Sequence, residues 1–138
     1  MTEFINFVST TPPVEKDFSA VKAASECLDR FTACFNACDT VGMDAELYFP
    51  HIMLSGASHL EWKKPGQHPE NFFAALKKSG WHHTRYESKD PILVGQDKVH
   101  FLVTYSRRNA ASEVLSMHQN LWIVIRTDEI WKICLRSY

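Results

Sequence analysis

His51 is the side chain in this sequence best suited to chemistry. An imidazole titrates near neutrality, so in a dry cavity it could take a proton from carbon or oxygen and return it. It opens the run His51-Ile52-Met53-Leu54-Ser55, which is followed by Gly56-Ala57 and then Ser58-His59-Leu60-Glu61-Trp62. Glycine first in a two-residue turn suits the twist of paired strands, so the segment reads as a hairpin. In that register Ser55 faces Ser58, Met53 faces Leu60 and His51 faces Trp62, with Leu54 against His59 and Ile52 against Glu61. One hairpin face then carries His51, Met53, Leu60 and Trp62, an apolar wall with one titratable group. Trp62 would offer a flat contact to a ring-shaped ligand. The plainer reading is a structural histidine, hydrogen-bonded where it sits.

Two further strands carry candidates. Val99, Phe101, Val103 and Tyr105 share a parity, and the Tyr105 hydroxyl could donate to a ligand oxyanion or simply sit at the rim of the core. The strand Val114–Arg126 alternates Ser116, His118, Asn120, Trp122 and Val124 with Leu115, Met117, Leu121, Ile123 and Ile125. The aliphatic set reads as the buried face. The mixed set suits a binding surface or a subunit contact, and dimerisation through that side of the sheet is the favoured expectation. His82-His83 suggests a metal, but strand alternation should send the two rings to opposite faces, so no metal site is expected. Cys27, Cys34 and Cys38 fall in one helical segment and Cys134 lies far along the chain, so all four read as reduced thiols. Gly-rich phosphate loops, HExxH, GxSxG and paired CxxC motifs are absent, and no cofactor is expected.

The elements that must position these groups follow from pattern. The sequence has 138 residues, 45% apolar and 22% charged, the size and balance of one ordinary domain. A net charge of -1 with scattered basic pairs argues against nucleic acid as a partner. No apolar run reaches the length of a membrane span, the first residues do not resemble a signal peptide, and a cytoplasmic location is expected. Residues 1–14 read as an arm, apolar at Phe4, Ile5, Phe7 and Val8 and broken by Thr10-Thr11-Pro12-Pro13; residues 15–138 read as a single domain. From Val14 to Cys38, Phe18, Val21, Ser25, Leu28, Thr32 and Phe35 recur at helical steps. A short helix over Thr40–Leu47, capped by Asp39 or Thr40, and another over Pro69–Ser79, stopped by Gly80, flank the hairpin. Four long strands follow, near Trp81–Val94, Lys98–Arg108, Val114–Arg126 and Ile130–Ser137. The short breaks between them imply an antiparallel meander to which the hairpin adds. Such long strands should curl, leaving a funnel that the main helix closes only in part.

Four stretches bear a family likeness: Phe35-Asn36-Ala37-Cys38-Asp39, Tyr48-Phe49-Pro50-His51, Gly80-Trp81-His82-His83, and Leu121-Trp122-Ile123-Val124-Ile125-Arg126 with Ile130-Trp131-Lys132-Ile133. With the order of elements, they resemble the nuclear transport factor 2-like superfamily, which includes SnoaL-like cyclases, ketosteroid isomerase and scytalone dehydratase. The likeness spans roughly residues 15–138 and is nearest to uncharacterised proteins with the same Phe-Pro-His opening. It implies an α+β, cystatin-like cone: a curved, mixed-to-antiparallel six-stranded sheet with about three helices on its concave side. It also implies carboxylates, Tyr or His projecting into the funnel, and members often pair as homodimers. A scytalone-dehydratase-like arrangement would draw on His51, His118 and Asp39. Fold alone does not fix function.

The expectation is a homodimeric cone that binds a small apolar or cyclic molecule on His51, Met53, Leu60, Trp62, Tyr105 and Asp39. The chemistry such a site would carry is a cofactor-independent isomerisation or dehydration, with His51 as the base and Tyr105 or His118 polarising an oxygen. The competing expectation is a non-catalytic dimerisation module of the same fold.

Overall fold

The computed structural model describes residues 3–9 and 18–138. A five-residue helix α1 (Phe4–Val8) precedes the main helix α2 (Phe18–Asn36), and the short α3 (Thr40–Ala45) follows. The hairpin is β1 (Leu47–Ser55) and β2 (Ser58–Trp62), then come α4 (Phe72–Lys78), β3 (His83–Val94), β4 (Lys98–Arg108), β5 (Val114–Thr127) and β6 (Ile130–Ser137). The six strands form one sheet in the order β2-β1-β6-β5-β4-β3. All neighbours are antiparallel except β1 and β6, which run parallel. Among the described residues no helix is long and apolar enough to cross a membrane.

The hairpin register is the expected one, pairing His51 with Trp62, Met53 with Leu60 and Ser55 with Ser58. β1 starts earlier than expected, at Leu47, and takes in Pro50 where its pairing with β6 slips between Leu47 and Ile52. A proline has no N–H to give a ladder, so such an irregular stretch accommodates it. Asp39 caps α3 as expected, its Oδ1 accepting the Gly42 amide at 2.9 Å. The Thr10–Pro13 break lies outside the described residues, as do the first residues expected of α2. The apolar side chains of α1 are exposed.

α2 lies across one face of the sheet. Its buried residues Ala24, Cys27, Leu28 and Phe31 meet Val99, Phe101 and Val103 of β4, Val124 of β5 and Ile133 of β6 in one core. Phe31 meets Trp122 edge to face at 5.5 Å between ring centres. Tyr86 of β3 donates its hydroxyl to the Leu28 carbonyl at 3.1 Å, and Lys89 pairs with Asp29. At the far end of α2, the Asn36 amide exchanges two bonds with the Thr84 backbone, at 2.9 and 2.8 Å, tying helix to β3. Register slips in β1, β3, β5 and β6 bend these strands.

The faces of β5 reverse the expectation. Asn120, Trp122 and Val124, on the mixed side expected to dimerise, are buried under α2, while Leu115 and Met117 of the aliphatic set are exposed. Leu121, Ile123 and Ile125 are half-buried on the outside. The covered face holds aromatic and polar groups because it borders a cavity, and the aliphatic row forms the convex outer surface. His82 also departs from expectation. It lies before β3 rather than in it, so strand alternation does not apply, and its Nδ1 comes within 2.9 Å of the His83 Nδ1.

Candidate functional site

A cavity of about 290 Å³ remains between the sheet and its helices. Phe31 and Phe35 of α2, Met43 of α3, Met53 of β1, Trp62 of β2 and Phe72 of α4 give it apolar walls. Tyr86, Tyr105 and Trp122 line the sheet side, and Tyr138 closes in from the chain's last residue. His68, Thr84, Arg107 and Arg136 are the polar groups set into this lining. Its volume is near the lower end of the range in which small-molecule sites fall.

Arg136 is the residue that dominates the interior. It is 5% exposed, yet among the described residues no carboxylate pairs with it. Its Nε donates to His51 Nε2 at 2.9 Å and its Nη2 to the Met53 sulfur at 3.3 Å. The guanidinium lies 5.1 Å from the Phe31 ring centre and 5.9 Å from those of Trp62, Trp122 and Tyr138. Ring faces attract a cation but do not neutralise it.

His51 stands behind Arg136 rather than in the cavity lining. It is fully buried, with Nδ1 3.0 Å from the Ile133 carbonyl and Nε2 accepting from Arg136. The tautomer these partners require is Nδ1–H, so both ring nitrogens are occupied. Burial first, then the Arg136 charge, holds its pKa down to about 3. The imidazole is neutral and serves as a bracket for the guanidinium.

A second imidazole borders the cavity. His68, in the loop between β2 and α4, stands edge to face on Trp62 at 4.5 Å, and its Nε2 is 3.3 Å from Asp44 Oδ1. The two atoms are close without the alignment of a full hydrogen bond. Asp44 is 7% exposed, and its Oδ2 accepts the Gly66 amide at 2.9 Å. Burial and Arg136 pull His68 below the usual imidazole value, while Asp44 pulls it back up; the net direction is down.

Of the residues expected to bind a ligand, Met53, Trp62 and Tyr105 line the cavity. The Tyr105 oxygen accepts from Asn120 Nδ2 at 2.9 Å, leaving its own proton to donate. Burial raises its pKa. Leu60 is exposed toward the hairpin turn, and Asp39 is spent on the α3 cap; neither borders the cavity. His118 stacks on Tyr105 with centres 5.0 Å apart and exchanges a 2.8 Å bond with Ser116, outside the lining. Burial, and then Arg107, lowers its pKa.

Arg136, Arg107, His68 and Asp44 were not among the sequence candidates. Asp44 carries the nearest thing to a signal. An acid in the last turn of a short helix opposes the helix dipole, so it asks for another partner.

No protein-family model matches the sequence, and no curated protein is similar to it. Solved structures are similar in shape. A cystatin-like-fold protein of unknown function from Nostoc punctiforme matches with a TM-score of 0.66 at 12% identity, covering 92% of each chain. A nuclear transport factor 2-like protein from Novosphingobium aromaticivorans matches at 0.62 and 14%, over 87% of this chain and 80% of that one. A ketosteroid isomerase-like protein from Erwinia carotovora matches at 0.55 and 13%, over 84% and 92%. At such identities the likeness establishes the architecture: this is the α+β, cystatin-like fold of nuclear transport factor 2-like proteins.

Proposed function

We propose that the cavity binds a small, largely apolar, cyclic molecule and that His68, backed by Asp44, moves a proton on it without a cofactor. The observation that carries this reading is an imidazole–carboxylate pair at the edge of an apolar cavity, beside the Arg136 guanidinium. A His68 pKa below the ordinary value keeps the ring neutral and able to accept. Its lone pair takes a proton from a carbon next to a carbonyl. The carbon–hydrogen electrons move to the carbonyl oxygen as an enolate, and the imidazolium is stabilised by the Asp44 carboxylate. The Tyr105 hydroxyl and the Arg136 N–H groups are the donors for that oxygen. Returning the proton at another carbon completes an isomerisation; giving it to a β-hydroxyl, which leaves as water as the carbon–carbon double bond forms, completes a dehydration. His51 acts here as a positioning residue, and His118 steadies the Tyr105 ring.

2-Tetralone, a two-ring ketone, tests the proton step through deuterium exchange at its α-carbons, followed by NMR in heavy water. The expected result is exchange that His68→Gln slows by about 100-fold or more. Equal rates in the two proteins would remove His68 from the chemistry.

The convex side supports a second role, homodimerisation through the sheet. Leu102, Leu121, Ile123 and Leu135 are half-buried there and Leu115 and Met117 exposed, an apolar row of the kind that subunit interfaces cover. The alternative reading, a dimerisation module without catalysis, rests on this row alone. Four free thiols fit a reducing compartment such as the cytoplasm.

A further inference from the structure

From the interior charge we infer that the cavity's ligand is an organic anion, a planar carboxylate on a ring-sized apolar body, with the carboxylate paired to Arg136. The inference rests on the reading of the cavity as a ligand site and names what that site selects. Arg136 is buried with a neutral imidazole, a thioether and four ring faces around it, and none of these carries a negative charge. An unpaired buried cation is costly to retain, and an anion relieves that cost.

Two of the other unmet polar groups agree in sign, while Asp44 Oδ1 and His68 Nε2 face one another without a full hydrogen bond. The Trp122 Nε1–H and the Arg107 Nε–H are buried without an acceptor among the described residues, and both side chains border the same cavity. Both are donors, as are the N–H groups of Arg136 that its two bonds leave over. A cavity that presents donors from three neighbouring strands calls for a ligand rich in acceptors. The one carboxylate nearby, Asp44, is engaged by Gly66 and faces His68.

Chemistry narrows the anion further. The flat guanidinium fork matches a carboxylate with two parallel bonds. A phosphate dianion would bring a second charge into apolar walls, with a larger loss of hydration. Phe31, Trp62 and Phe72 are among the walls, and aromatic walls suit a ring body.

Calorimetric titration with 2-naphthoate, 2-naphthamide and 2-naphthyl phosphate separates these possibilities on one ring body. The expected order is naphthoate tighter than the amide by about tenfold or more, with the phosphate weaker than naphthoate. Arg136→Gln, which still donates toward His51, should erase the naphthoate preference by lowering naphthoate affinity about tenfold more than amide affinity. Arg107→Gln, at a half-buried position, should lower naphthoate affinity severalfold more than amide affinity. Equal affinity for naphthoate and amide in the unaltered protein overturns the inference, whatever the variants' folding, and leaves the ligand-binding reading standing. A phosphate that binds tighter than naphthoate also overturns it. If none of the three compounds binds, the inference and the ligand-binding reading fall together.

Discussion

The two faces of the sheet make opposite use of their residues. The concave face under α2 combines Phe101, Tyr105, Asn120 and Trp122 with the guanidinium of Arg136, all at low exposure. The convex face carries Leu102, Leu121, Ile123 and Leu135, simple aliphatic chains left half-exposed. Polar groups on the covered side bond to one another, as Asn120 does to Tyr105 and Arg136 to His51. The difference teaches that apolar character does not mark the inside of a sheet that wraps a cavity. Here the aliphatic row forms the outer surface, and the mixed aromatic and polar row borders the hollow.

The largest effect that sharpens this contrast is expected from the concave side. Phe101→Ala removes a fully buried ring and should cost about 3–5 kcal/mol in denaturant unfolding. A loss below about 1 kcal/mol would mean that this face is not the core.

The interior histidines come next. His51 is held down to about 3 in the folded protein against an ordinary value of 6.5, so between those values the unfolded chain binds the extra proton. Stability is therefore full above pH 6.5 and declines as pH falls, approaching about 1.4 kcal/mol per pH unit. Between pH 6.5 and 4.5 the decline is clear of the Glu87 carboxylate, held down to about 2 by Arg108, Ser106 and Arg85, whose own contribution is lost only below 4.5. His51→Gln keeps an acceptor for Arg136 and a donor for the Ile133 carbonyl, and it should flatten the slope to the part that His68, His100 and His118, also lowered, still contribute. An unchanged slope would mean that His51 reaches water.

The smallest effect on folding belongs to the convex face. Ile123→Asp, at a half-buried position, should change the stability of a monomer far less than Phe101→Ala, yet sedimentation should show a dimer reduced to a monomer. A mass that is the same before and after would deny this face an interface.

Much of the frame was legible in the sequence. Gly56-Ala57 fixed the hairpin register, and turn residues set β4 and β6 at their observed ends. Parity put Met53 and Trp62 on one hairpin face, and Tyr105 with Val99, Phe101 and Val103 on another strand, without saying which faces meet. The decisive charge could not be placed that way. By simple alternation with Trp131 and Ile133, Arg136 belongs with the outward residues of β6. The β5–β6 register slips so that Ile123 pairs with Leu135 and Val124 with Ile133, leaving Cys134 unmatched and turning Arg136 inward. A bulge of this kind leaves no local mark in residue type. His68 and Asp44 were hidden differently, one in a loop and the other at a helix end, where neither periodicity assigns a face.

A crystal structure of the protein soaked with 2-naphthoate bears most directly on the central claim. The naphthalene ring should lie between Phe31 and Trp62, with both carboxylate oxygens within hydrogen-bonding distance of the Arg136 guanidinium. A carboxylate turned out to solvent, with Arg136 still bonded only to His51 and Met53, would contradict it.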